Sequence, residues 1–318
     1  MPTENLTGQT IASYRLIERI GEGGTATVYR AEHDARGACA VKILRQRSRS
    51  DPNAVKRFLR EAGYGSRVHH DNVVRTYDYG EEAGYYYLAL EWADGQSLSD
   101  YEQAHGPLEP ELVAHIIAQL AGALAAAHAV GIIHRDLKPE NIIFNSRTRV
   151  AKLLDFGIAR DAEEDPSERL TRAGFFVGSL NYVAPEALSG ALVDEAADIY
   201  SLATIAYYLL TGEHPHAGRS PREVFQQLLT QPPTPLRQAA NGARLSEALE
   251  AVIMRSLARE PPARHPTVEA FAADLAAAAR APARPAGGAP ASPGDGDDAA
   301  GGLLGTIKSI FGKKRSPP

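Results

Sequence analysis

The chain has 318 residues, of which 44% are hydrophobic and 23% charged, with a formal net charge of -5 and a pI near 6.1. This is ordinary globular composition, long enough for two packed units with separate cores, and its acidic balance offers nucleic acid and anionic lipid no whole-protein attraction. The single cysteine, Cys39, excludes an intrachain disulfide and an all-cysteine metal site, as suits a reducing cytosol. Met1 to Thr10 have neither the basic start nor the apolar core of a leader, and the longest apolar run, Ile199 to Leu210, falls short of the ~20 residues that cross a bilayer. A soluble cytoplasmic protein is the expectation.

Residues 14 to 45 alternate apolar and polar side chains between Gly21, Gly23, Gly24 and Gly37, which predicts three short antiparallel strands. Asp51, Pro52 and Asn53 open a helix predicted to run to about Val68. Two more strands are predicted at Val73 to Tyr79 and Tyr85 to Trp92, joined by the polar turn Gly80 to Gly84. Beyond them the pattern turns helical. Leu112, Ile116, Leu120 and Leu124 recur every four positions within Glu111 to Val130, the stripe of a helix lying on a core. Further helices are predicted at Asp194 to Leu210, Pro221 to Leu229, Ser246 to Leu257 and Thr267 to Arg280.

Three motifs carry chemistry. Gly21-Glu22-Gly23-Gly24-Thr25-Ala26-Thr27-Val28 lies between two predicted strands, where glycine lets backbone N–H groups approach a phosphate; alone, it reads equally well as a hairpin turn. Lys42 follows Ala40 and Val41 on the next strand. Glu61, on the helix above, could fix that lysine as it presents its ammonium to phosphates, although the same pair alone could be a surface salt bridge. The third motif is the most specific: His134-Arg135-Asp136-Leu137-Lys138-Pro139-Glu140-Asn141, followed by Asp155-Phe156-Gly157. Asp136 can accept a hydroxyl proton, Asn141 and Asp155 offer hard oxygen ligands to Mg2+, and Lys138 can neutralise charge on a moving phosphoryl group.

At these residues the sequence resembles the eukaryotic-type serine/threonine protein kinases, in a composition similar to bacterial members, over about residues 14 to 275. The resemblance implies an α+β, two-lobed fold. It places a small antiparallel-sheet N-lobe with one helix at 14–92 and a larger, mainly helical C-lobe at 93–280, after an N-terminal extension at 1–13. ATP and Mg2+ are the implied cofactors. Gly21 and Gly23 would face the phosphates, Val28, Ala40 and Ile143 would sandwich the adenine, and the backbone of Glu91 and Ala93 would hydrogen-bond it. Lys42, Glu61, Asp136 and Lys138 would form the catalytic set. Ala184-Pro185-Glu186 resembles the end of an activation segment, Arg264 the ion-pair partner of Glu186, and Asp198 an anchor of the catalytic loop. Lys138-Pro139-Glu140 resembles the serine/threonine branch rather than the tyrosine kinases.

Two departures concern mobility: Ala26 stands at the third glycine of the loop, and Gly63 and Gly65 weaken the helix that carries Glu61. Thr171 is the nearest hydroxyl to the family's activation-loop threonines. With Arg135 beside the catalytic aspartate as a cationic receptor, Thr171 is the expected autophosphorylation site. Two competing readings, a pseudokinase and a small-molecule phosphotransferase, are disfavoured by the complete set Lys42, Glu61, Asp136, Asn141 and Asp155 and by the long activation segment.

Residues 281–302 are rich in Ala, Pro, Gly and Asp and predict a disordered spacer. Within 303–318, Leu303, Leu304, Ile307, Ile310 and Phe311 line one helical face beside Lys308, Lys313, Lys314 and Arg315. That tail predicts docking through 303–315 to an anionic membrane surface, or to a groove on a partner protein or assembly, with recruitment from the cytoplasm. The other expected partners are protein substrates and, transiently, a second copy of the chain; nucleic acid is not among them.

Overall fold

Six antiparallel strands open the fold. The computed structural model describes residues 4–154, 179–189 and 193–281, so the predicted spacer beyond Ala281 and the amphipathic tail lie outside the described residues. The strands are β1 (Thr10–Ile11), β2 (Tyr14–Glu22), β3 (Ala26–His33), β4 (Gly37–Leu44), β5 (Thr76–Glu82) and β6 (Tyr85–Glu91), in the sheet order β1-β2-β3-β4-β6-β5. Two helices, α1 (Gln46–Arg49) and α2 (Pro52–Gly65), come between β4 and β5.

The two-residue period of a strand sorts this lobe into two cores. On β4, Cys39, Val41 and Ile43 are buried with Tyr14, Leu16, Tyr29 and Ala31 on the outer face of the sheet. The alternate residues face the other way, where Leu44 joins Ala26 and Leu88 against Phe58 and Ala62 of α2. Val28 is paired with Lys42 in register, so Val28, Ala40 and Lys42 share this inner face. Helix α2 starts where expected: Asp51 caps it by accepting from the Asn53 N–H at 2.9 Å, and Pro52 occupies the first turn.

Residues 4–13 are integral to the lobe rather than an appendage. Leu6 and Ile11 are buried in the outer core, and Glu4 accepts from Tyr85 Oη at 2.7 Å and pairs with Arg49 at 2.9 Å. The two-residue β1 is too short to announce itself by alternation.

The second lobe holds a small sheet, β7 (Gln96–Ser97), β8 (Ile142–Asn145) and β9 (Val150–Leu153), and seven helices among the described residues. These are α3 (Leu98–His105), α4 (Pro110–His128), α5 (Pro185–Ser189), α6 (Glu195–Thr211), α7 (Pro221–Thr230), α8 (Glu247–Ser256) and α9 (Val268–Ala279). The five longer helices predicted from the sequence end within two residues of their observed bounds. Gly95, at φ 134°, enters β7 so close to β8 that an added Cβ would meet the Phe144 carbonyl oxygen at 2.5 Å, so only glycine fits.

Helix α4 is long and apolar enough to cross a membrane by length and composition, yet its stripe of Ile116, Leu120 and Leu124 is wholly buried in one core shared with α6, α8 and α9. Helix α6 is buried along nearly its whole length and closes on left-handed Gly212. Nearby, Arg264 makes a bidentate pair with Glu186 at 2.7 and 2.8 Å, and spends its remaining donors on the carbonyls of Ala258, Ala196 and Arg259. Its guanidinium also lies 5.0 Å from the Tyr200 ring centre.

Candidate active site

The segment His134–Asn141 leaves α4 as an irregular loop and ends in a short 3-10 turn before β8. Asp198, fully buried on the first turn of α6, fixes its start. One carboxylate oxygen of Asp198 accepts the His134 N–H at 2.9 Å and the other accepts the Arg135 N–H at 3.0 Å, while His128 Nε2 lies 2.9 Å from the first. These bonds hold Arg135 in the left-handed region at φ 64°, a costly conformation for a residue with a Cβ. The turn brings the side chains of Asp136, Lys138 and Asn141 together. Lys138 Nζ is 3.0 Å from Asp136 Oδ2, and Asn141 donates to the Asp136 carbonyl at 2.9 Å and to Oδ2 at 3.2 Å. With its nitrogen turned to Asp136, Asn141 leaves a hard amide oxygen of the kind that suits Mg2+.

On the sheet lobe, Lys42 Nζ lies 3.2 Å from Glu61 Oε1, with both side chains about one-fifth exposed. The inner face of the sheet therefore carries a cation held by α2 beside half-buried Val28 and Ala40. An ammonium held by a carboxylate, together with a hard amide oxygen, is a donor set that fits a magnesium nucleotide.

Gly21 opposes Val28, and the β2–β3 turn is closed by the Gly23 N–H donating to the Ala26 carbonyl at 2.8 Å. Ala26, where the resemblance expects glycine, begins β3 and buries its methyl against Leu44 and Phe58. Two arginines bind the turn itself. Arg45 reaches Glu22 at 2.5 Å and the Gly23 carbonyl at 3.1 Å, and Arg47 reaches the Gly24 carbonyl at 2.7 Å.

Glu91 ends β6 with its N–H on the Arg75 carbonyl and its carboxylate on Lys152, at 2.6 Å. Ala93 follows outside any strand, and Ile143 lies on β8 opposite Lys152. Asp155 and Thr171 lie outside the described residues. Sequence reasoning missed His128 and Lys152; the one signal for His128 was a polar residue closing an apolar helix six positions before His134. Among the described residues no cluster of His, Cys, Asp and Glu could hold a metal. His214 and His216 pack inward instead, and burial lowers the pKa of each to about 4.

This geometry has a known counterpart. The family model described as the protein kinase domain matches residues 14–275. The chain belongs to the protein kinase family. The chain is 39% identical over 282 residues to the serine/threonine-protein kinase pkn3 of Myxococcus xanthus, covering 86% of this chain and 52% of that protein. It is 36% identical to PrkC of Bacillus subtilis, covering 85% and 41%, and 39% identical to PknB of Mycobacterium tuberculosis, covering 82% and 42%. The chain thus spans about half or less of the length of these relatives. The crystal structure of the Mycobacterium tuberculosis PknI kinase domain superposes with a TM-score of 0.66 at 29% identity, covering 86% of this chain and 98% of that one. The bacterial, Hanks-type character and the two-lobed fold expected from the sequence are both found.

Proposed function

We propose that this kinase transfers the γ-phosphoryl group of Mg-ATP to serine or threonine hydroxyls of protein substrates. The observation that carries the reading is the pairing of Lys138 and Asn141 with one carboxylate oxygen of Asp136, at 3.0 and 3.2 Å, on a loop anchored by Asp198. The named serine/threonine kinases among its relatives support the same chemistry. ATP supplies the phosphoryl group, and its metal would be held by Asn141 and Asp155. Lys42, aligned by Glu61, holds the phosphates in place. Asp136 accepts the proton from the substrate hydroxyl as it attacks, and Lys138 offsets charge on the phosphoryl oxygens. Gly21, Gly23, Val28, Ala40, Ile143 and the backbone of Glu91 and Ala93 form the nucleotide site in this reading.

The deciding experiment incubates purified protein with radiolabelled ATP and a generic protein substrate. Asp136→Asn and Asp155→Ala should each reduce transfer by orders of magnitude with the fold intact, and equal transfer by wild type and either variant would sink the mechanism. Regulation through phosphorylation of Thr171, received by Arg135, belongs to the same proposal, as does docking through residues 303–315 to an anionic membrane or a partner. Mass spectrometry of the active protein tests the first, and localisation after deletion of 303–318 tests the second.

A further inference from the structure

We propose that Arg45 and Arg47 are positioning residues that hold the glycine-rich turn with its N–H groups facing the nucleotide cleft. In a trans peptide the carbonyl of one residue and the N–H of the next point to opposite sides. The Gly23 carbonyl is turned to Arg45 and the Gly24 carbonyl to Arg47, so the N–H groups of Gly24 and Thr25 are turned away from both arginines. The arginines stand on the outer side of the sheet. Arg45 follows Ile43 in the strand alternation, and Arg45 and Arg47 line one hollow with Tyr29 and Ile43, whose side chains belong to the outer core. Away from them is the face of Val28 and Lys42, where the phosphates would lie.

The turn needs such an external hold. Glu22, Gly23, Gly24 and Thr25 are all exposed, and a turn with two adjacent glycines has wide backbone freedom to lose when it orders on a ligand. Fixing the two carbonyls in advance removes part of that loss, and the benefit is felt by the phosphates rather than by the adenine. Arg45 is held in turn by Glu22, and its own N–H donates to the Thr25 carbonyl at 2.8 Å, so the turn is gripped at three successive carbonyls.

This inference rests on the nucleotide site proposed above. Its test measures binding of ATP and of adenosine to the full chain by calorimetry, for wild type, Arg47→Ala, Arg47→Lys and the Arg45→Ala/Arg47→Ala pair. The pair should bind ATP about three- to tenfold more weakly while adenosine binding stays unchanged, with Arg47→Lys recovering part of the loss through its own donor. The KM for ATP should rise more than kcat falls. Arg49→Ala removes an equal charge from α1 without touching the turn and should leave the ratio of ATP to adenosine affinity unchanged. Unaltered ATP binding by the pair, equal loss of ATP and adenosine, or an Arg49→Ala effect as large as that of Arg47→Ala would each overturn the clamp. A wild type that binds ATP but transfers no phosphate would sink the kinase reading and leave the binding test of the clamp intact.

Discussion

The two lobes are built on opposite economies of burial. The helical lobe has one continuous core, in which α6 is enclosed along nearly its whole length and an arginine-glutamate pair is sealed inside. The sheet lobe divides its apolar side chains into two small clusters on either side of the strands, and several of its ion pairs, such as Arg30 with Glu18, lie in solvent where they contribute little. The division matches the work proposed for each lobe. Asp136 stands on a loop bolted to α6, whereas Lys42 depends on α2, which buries only Ala54, Phe58 and Ala62 and carries glycine at positions 63 and 65. In the function proposed above, the base for proton transfer is thus the firmly packed element and the nucleotide grip the softer one, and softness is where local opening and regulation are drawn from.

The sharpest way to break this contrast is to open the C-lobe. Glu186→Ala strands the Arg264 charge inside and should cost about 3 to 5 kcal/mol, seen as a large fall in denaturant midpoint. An effect within 1 kcal/mol, typical of a surface pair, would refute the picture of a sealed core. Acid should strike the same lobe next. His214 and His216 titrate near 4 when folded but near 6.5 when unfolded, so the unfolded chain binds more protons between those values. Stability is therefore full above 6.5 and lost as pH falls toward 4, on the order of 1 to 2 kcal/mol per histidine by pH 5. Melting curves of His216→Gln should be flatter with pH than those of wild type.

Asp198→Asn replaces one of two accepting oxygens with a donor facing a backbone N–H. It should cost about 1 to 3 kcal/mol and lower kcat more than it raises KM, because Arg135 and Asp136 lose their fixed backbone. The smallest effect belongs to the sheet lobe. Gly63→Ala should stabilise α2 by up to about 1 kcal/mol, since the new methyl meets only the phenol end of an exposed Tyr79, the hydroxyl at 3.4 Å and its ring carbon at 3.9 Å. Hydrogen exchange of α2 should slow, and unchanged exchange would mean that something other than its glycines limits the helix.

The long helices were legible because each repeats its apolar residues over three turns or more and carries its own cap, as Asp194 does for α6 and Thr267 for α9. The strands flanking Gly23 and Lys42 were legible through alternation. What escaped was short or relational. Thr10–Ile11 and Gln96–Ser97 are too brief to show a period, and α3 hides behind Gly95. In the candidate site, motif spacing pointed to Lys42, Glu61, Asp136, Lys138 and Asn141, and the fold pairs Lys42 with Glu61 and gathers Lys138 and Asn141 on Asp136. His128, Lys152, Arg45 and Arg47 carry no motif; only the three-dimensional path of the chain sets them against Asp198, Glu91 and the glycine turn.

The family match begins at Tyr14, but the packing begins earlier. A chain trimmed to that boundary would uncover Tyr14 and Tyr29, remove the caps that Leu6 and Ile11 place over them, and release Arg49 and Tyr85 from Glu4. Where shared sequence ends and where the folded lobe ends are thus two different edges in this protein. A protease cutting just before Tyr14 would remove no predicted catalytic group and would still open the outer core of the sheet lobe to water.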